Sequence, residues 1–320
     1  MTPLCITAVL DGRPGHEKQT QAVISALKRM TPVQVRHQIL QAPSVWDTSR
    51  QWCQWLWPFS WRTAKPSPND QIDLVIGTGS RVHLPMIRLH QRHGGRLVTC
   101  MTPDIILRRH FDLCLVPRHD RPRPARNIFV TIGPPAAVSG SGAHRPERGL
   151  ILIGGRDPKS LHWHSAAVLK HVEAIVRREQ QRKWTISSSP RTPEKMLDSL
   201  AQLDDGHANV SFFRSQDTPA GWIEAAYAEN SFAWVTADSI SMVYEALAAG
   251  CQVGILPVQW KKKQNKFQRS IDDVCGRGYA VTYVQWLEGK APAAGAVLNE
   301  AQRCACEILR RWWPERQKSP

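Results

Sequence analysis

Along the chain, short apolar runs alternate with stretches in which apolar residues recur every three or four positions. The run "LCITAVL" (4–10) is followed by a helical pattern near 17–29 and then by "VQVRHQIL" (33–40). "IDLVIGTGS" (72–80) leads into a helical pattern near 81–92, and "RLVTCM" (96–101), "FDLCLVP" (111–117) and "NIFVTIG" (127–133) read as further strands. Strand and helix periods alternating at this spacing predict a parallel sheet with helices on both faces. The run "GPPAAVSGSGAHRPERG" (133–149) breaks the pattern with Pro, Gly and Ser and predicts a linker. The alternation then restarts. Strands are expected at "LILIGG" (150–155), "KWTISSS" (183–189), "NVSFFR" (209–214), "FAWVTA" (232–237) and "CQVGILPV" (251–258). Helices are expected near 164–180, 193–203, 219–229 and 239–249, and a last one over 297–313. The pattern therefore predicts an α/β protein of two tandem doubly wound domains facing a cleft. Their bounds are 1–140 and 150–296, joined by a linker at 141–149 and followed by a crossing helix and basic tail at 297–320.

The length of 320 residues suits two domains, and a hydrophobic content of 42% excludes wholesale disorder. The formal net charge of +15 predicts anionic partners: nucleic acid, an acidic membrane leaflet or phosphorylated small molecules. No apolar stretch approaches the ~20 residues that span a bilayer, and no basic leader with an apolar core opens the chain. The expectation is a cytoplasmic protein, at most peripheral to the inner face of the membrane. None of the eight cysteines forms a C-x-x-C pair. Cys304 and Cys306, two apart on a helix, point in different directions, so reduced thiols and no metal site are expected. Trp46, Trp52, Trp55, Trp57 and Trp61 cluster near Arg50 and Arg62. They read either as a patch for an anionic leaflet or as core, with base stacking a third option.

Small polar residues gather where strands end. "DGRPGH" follows the first strand, "GTGSR" (77–81) the third and "IGGRD" (153–157) the first of the second half; "SSSPRT" (187–192) and "TADSISM" (236–242) follow later ones. Glycine and serine at such corners expose backbone N–H groups to which the helix N-terminus adds partial positive charge, a seat for phosphate or carboxylate. None is a Walker loop or a G-x-G-x-x-G run, which argues against ATP hydrolysis and a standard nicotinamide site. Asp238, Ser239 and Ser241 are expected to open a helix as cap and first-turn residues, with Glu245 one turn beyond Ser241 on the same face. A carboxylate there suits ribose hydroxyls while the helix mouth holds phosphate. Gln264, Asn265 and Gln268 follow at helical spacing, suited to sugar hydroxyls or a pyrophosphate.

"DGRPGHEKQT", "FDLCLVPRHD", "LILIGGRD", "RTP" and "VTADSISMVYEALAAG" resemble, in the same order, the signature blocks of the elongate-mitochondria (mitochondrial-fission) family, over roughly 8–290. The resemblance implies two Rossmann-like domains of the GT-B type and a glycosyltransferase-like activity. The second half is also similar to the GT-B lipid-linked N-acetylglucosamine transferase of peptidoglycan synthesis. That similarity implies a donor site at Ser239, Ser241, Glu245, Gln264 and Asn265, with Gly154, Gly155, Arg156, Ser188, Arg191, Thr192, Asp238 and Met242 around it. The first loop of that enzyme is resembled by Gly12, Gly15 and His16. Where relatives carry Glu-His-Asp, this chain has Arg118-His119-Asp120.

A sugar acceptor needs a base to take its proton as the nucleotide leaves. Asp11 and His16 are the candidates, with the choice between them open. Gly12, Arg13, Gly15, Gly79, Ser80, Arg81 and His119 are expected on the acceptor side. No D-x-D run occurs, so the expected reaction is inverting and metal-independent, with a nucleotide-sugar, UDP-type favoured, as substrate rather than cofactor. The positive charge points to an anionic glycolipid or cell-envelope acceptor, and nucleic acid is not favoured. The competing expectation is a non-catalytic nucleotide binder or membrane scaffold on the same fold.

Overall fold

The computed structural model describes residues 2–40, 71–137, 143–262, 265–291 and 297–317. The tryptophan cluster at 46–61 and Gln264 lie outside the described residues. The chain divides into two units, Met1–Ala137 with Glu300–Pro320, and Val138–Asn299.

In the first unit, β1 (Leu4–Leu10), α1 (Pro14–Met30), β2 (Val33–Ile39), β3 (Leu74–Gly77), α2 (Ser80–His93), β4 (Arg96–Thr99), β5 (Leu113–Pro117) and β6 (Ile128–Thr131) follow in order. The sheet order is β2-β1-β3-β4-β5-β6 and every described pairing is parallel. Successive strand residues point to opposite faces, and both faces are apolar because both are covered. Leu74, Ile76, Val98, Leu113 and Leu115 pack with α1 on one side. Val75, Leu97, Cys114 and Val116 pack with Val82, Met86 and Ile87 of α2 on the other. The tail helix, Glu300–Trp312, completes the first face through Ala301, Cys304, Ala305, Ile308 and Leu309.

The second unit runs β7 (Arg145–Leu152), β8 (Leu161–His162), α3 (Ser165–Arg178), β9 (Lys183–Ser187), α4 (Glu194–Gly206), β10 (Val210–Phe213), α5 (Trp222–Glu229), β11 (Asn230–Thr236), α6 (Ile240–Ala248), β12 (Gln252–Leu256), β13 (Gln259–Trp260), α7 (Lys266–Gly276), β14 (Ala280–Thr282) and α8 (Tyr283–Leu287). The tail helix is α9. Its main sheet has the order β10-β9-β7-β11-β12-β14, again parallel, and β8 and β13 form a small antiparallel pair. Strand β7 begins at Arg145, so Arg145–Gly149 are sheet rather than linker. Trp184 and Trp234 fill the α3–α4 side of this sheet, and each ring lies where a glycine on the neighbouring strand has no side chain, Gly149 and Gly254 respectively.

Both sheets have a topological switch point, where the chain reverses its direction of winding and leaves a crevice at the strands' carboxyl ends. In the first unit it lies between β1 and β3; in the second, between β7 and β11. Cys100, Cys114 and Cys251 are buried free thiols whose pKa values burial pushes up to about 12, so they are inert. No described helix is long and apolar enough to cross a membrane.

Candidate functional site

The corner after β1 is built around Asp11, whose side chain is 1% exposed. One carboxylate oxygen accepts the Arg13 backbone N–H at 3.2 Å, fixing the turn, and the other meets His16 Nδ1 at 2.9 Å. Helix α1 then starts at Pro14, where a missing N–H costs nothing, and Glu17 in its first turn accepts the N–H of Gly12. Gly12 has φ of 76°, a left-handed backbone that suits glycine. The Asp11 carboxylate at Nδ1 favours the tautomer with its proton there, which leaves Nε2 an acceptor, and the His16 side chain is 27% exposed.

Gly79 closes the site from β3. A Cβ on it would strike both Asp11 and the His16 ring, so the two loops meet at the switch point only because residue 79 has no side chain. Thr78 Oγ1 and Thr20 Oγ1 hydrogen-bond at 2.8 Å and tie the loop after β3 to α1 below the surface. Ser80 and Arg81 are exposed in the first turn of α2. Gly15 sits inside the first turn of α1 with open space around it. His119 follows β5 in a short 3-10 turn, its Nε2 3.8 Å from Asp120.

Behind the corner lies His83, fully buried, its Nε2 3.2 Å from Thr99 Oγ1 and its ring edge-on to Phe111. Burial lowers its pKa from 6.5 to about 4; Asp104 opposes the shift and His16 adds to it. The unfolded chain binds a proton at this residue below pH 6.5 and the folded one does not until about pH 4. Stability is therefore complete above 6.5 and falls as the pH drops towards 4, by about 3 kcal/mol in total. His83→Gln, which keeps a hydrogen-bonding group for Thr99, is expected to flatten this acid limb. Urea melts of both proteins between pH 7 and pH 4 check it; parallel slopes would show that His83 is not its source.

In the second unit the switch-point loops interlock more tightly. Gly154 N–H donates to Thr236 Oγ1 at 2.7 Å and Gly155 N–H to Asp238 Oδ2 at 3.1 Å. A Cβ at Gly154 would overlap the Asp238 carboxylate, and one at Gly155 the Arg191 carbonyl. Thr192 Oγ1 donates to Gly154 O at 2.5 Å and Arg156 N–H to Arg191 O at 2.9 Å, so the loops after β7 and β9 form one body. Ser188 Oγ accepts the Ser215 N–H at 3.0 Å.

Two capping expectations change here. Ser239 stands at the N-cap of α6 but makes no side-chain capping bond; its hydroxyl accepts instead from Arg191 at 3.3 Å. Asp238, 1% exposed, does not cap either: it pairs with Arg191 at 2.8 Å. A carboxylate thus already occupies the N–H and guanidinium donors of the expected phosphate seat. Asn265 is a helix cap, accepting the Gln268 N–H at 2.9 Å and donating to Lys262 O. Ser241 is exposed in the first turn of α6, and Glu245 lies one turn on, accepting from Tyr227 Oη at 3.4 Å. That hydroxyl is also 3.4 Å from the carbonyl of Met242. Burial, with Glu245 beside it, raises the Tyr227 pKa well above its usual value, so the phenol stays a donor. Beyond the end of β12, His162, Trp163, His164 and His171 line a cavity of about 280 Å³ with Pro257–Gln259.

The mitochondrial fission ELM1 model matches residues 14–312. The chain belongs to the mitochondrial fission ELM1 family. No curated protein matches this ELM1-family sequence. Its structure is similar to UDP-GlcNAc 2-epimerase from Methanocaldococcus jannaschii, with a TM-score of 0.58 at 11% identity over 96% of this chain and 99% of that one. It is similar to UDP-GlcNAc 2-epimerase from Neisseria meningitidis bound to UDP-GlcNAc, with a TM-score of 0.52 at 11% identity over 96% and 99%. CalG4, the calicheamicin glycosyltransferase, gives a TM-score of 0.50 at 13% identity over 99% and 96%. At these identities the likeness shows the fold, two Rossmann-like units of the GT-B glycosyltransferase type.

Thr20, Thr78, His83 and Thr99 support the first site without having been expected there. Thr20 and Thr78 are 58 residues apart, and no local signal joins them.

Proposed function

We propose that this ELM1-family protein is an inverting, metal-independent glycosyltransferase. It moves a sugar from a nucleotide-sugar donor, UDP-type, to an anionic glycolipid or cell-envelope acceptor at the cytoplasmic face of the membrane. The observation that carries the reading is the Asp11–His16 pair at 2.9 Å, at the carboxyl end of β1. Asp11 orients the imidazole, and His16 Nε2 takes the acceptor hydroxyl's proton as the bond to the nucleotide breaks. Gly12, Arg13, Gly79, Ser80, Arg81 and His119 bind the acceptor side. The N-terminus of α6, with Ser239, Ser241, Arg191 and the Gly154–Gly155 turn, takes the donor phosphates, Arg191 changing partners from Asp238 to the phosphate. Glu245 takes the ribose. Support for the donor class comes from the fold shared with a protein bound to UDP-GlcNAc.

The second reading is a non-catalytic nucleotide binder or membrane scaffold on the same fold, and Asp238 in the phosphate seat favours the scaffold. A thermal-shift screen against UDP-, GDP-, CMP- and ADP-sugars separates the transferase from the scaffold, and turnover of the His16→Ala variant separates it from a nucleotide binder. A ligand at a hundredfold its Kd adds about 2.7 kcal/mol, and one nucleotide class is expected to do so. No shift with any of them sinks the transferase. UDP-sugar consumed without an acceptor points to epimerisation or hydrolysis instead.

A further inference from the structure

The first unit carries a second concave site at the opposite end of its sheet. A cavity of about 710 Å³ is lined by Arg96, Arg109, Arg126, Arg310 and Arg311 together with Phe111, Asp112, Asn127 and Trp312. Arg96 opens β4, Asp112 precedes β5 and Asn127 precedes β6, so the cavity lies at the strands' amino ends. Arg96 pairs with Leu74 at the start of β3, whereas the Asp11–His16 corner lies beyond that strand's last residue, Gly77.

The charges in it are unbalanced. Glu307 holds Arg310 at 2.8 Å and Arg311 at 2.6 Å, and Asp112 lies 3.8 Å from Arg96. Arg126 and Arg109 have no carboxylate partner among the described residues; Arg109 Nε reaches only His110, at 3.4 Å. Burial chiefly, with smaller contributions from Arg109 and His90, lowers the pKa of the neighbouring His110. Five guanidiniums converging on one space against two carboxylates repel one another unless an anion joins them. Guanidinium forks match phosphate oxygens two at a time. Trp312, half-buried with the Arg96 guanidinium 5.4 Å over its ring, supplies an aromatic wall. The space is in the range that small ligands fill and larger than one phosphate needs.

We propose that this cavity binds a diphosphate or a phosphorylated sugar head group, at a site separate from the Asp11–His16 corner. The Arg109 and Arg126 forks take the phosphates, Arg310 and Arg311, held on Glu307, add positive charge beside them, and Trp312 takes the ring or chain that carries them. The site does not depend on the transferase reading, and its test reads no turnover.

The probes are inorganic pyrophosphate, followed by calorimetry, and phosphatidylcholine vesicles containing phosphatidic acid, followed by sedimentation. Arg109→Ala/Arg126→Ala is expected to weaken binding at least about tenfold. Both side chains are exposed, so the variant is expected to melt with the wild type. Arg177→Ala/Lys183→Ala removes equal charge from the second unit and is expected to bind as the wild type does. Selective loss with pyrophosphate assigns the site to a free anion, and selective loss with vesicles alone assigns it to a lipid head group. Equal loss in the two variants would reduce the effect to diffuse charge and overturn the site, as would binding of neither probe.

Discussion

Replacing His16 with alanine is expected to lower sugar transfer by about 10²- to 10⁴-fold, the usual worth of a positioned general base. Donor affinity should be unchanged, because the proposed donor residues belong to the other unit. The readout is release of the nucleotide from the donor found by thermal shift, with a membrane lipid extract supplying acceptor. Asp11→Asn is expected to act in the same direction by a different route. The amide no longer accepts from Nδ1–H at 2.9 Å as a carboxylate does, so the ring loses its fixed tautomer and orientation. A fall in kcat with KM for the donor preserved supports a base oriented by a carboxylate. Full turnover in both variants would remove this corner from the chemistry, whatever the second unit binds.

Gly155→Ala is expected to have the largest effect on stability. The added methyl overlaps backbone atoms of Arg191 and Thr192 rather than the end of a flexible side chain. Relief requires moving the loop after β9, which breaks the Arg156 N–H bond to Arg191 O and the Thr192 bond to Gly154 O. Overpacking of this kind costs about 3 kcal/mol. For a unit of the size of Val138–Asn299 that corresponds to a fall in Tm of roughly 6–12 °C. The Arg191–Asp238 pair moves with the loop, so any nucleotide affinity should fall as well. Calorimetric melting checks the first effect, and the same thermal-shift screen the second. An unchanged melt would mean that the loops are not interlocked as described.

The candidate corners were legible because each is a local event. An apolar run, then glycine, serine or aspartate, then a helix period marks the end of a parallel strand, and "DGRPGH", "GTGSR", "IGGRD" and "TADSISM" all stand there. The role of each polar residue was less legible. Asp238 and Ser239 looked like caps from their position, but Arg191, 47 and 48 residues away, draws both. Asn265, expected as a ligand, also caps α7, since Gln268 three residues on offers its N–H. Strand β14 was missed because "AVT" is too short to show a period.

By itself the sequence determined the alternation of strands and helices, the apolar burial on both sheet faces and the positive charge. These depend on the side-chain period of a strand, the period of a helix and composition, all properties of neighbouring residues. Only the tertiary structure decided the sheet orders, and with them which corners become neighbours: β1 beside β3, β7 beside β11. It also decided that the tail helix packs on the first unit and brings Arg310, Arg311 and Trp312 to Arg96 and Arg126. Such pairings join residues dozens to hundreds of positions apart, and no local period encodes them. They are fixed when the sheet closes its core and the loops at its two ends come into contact.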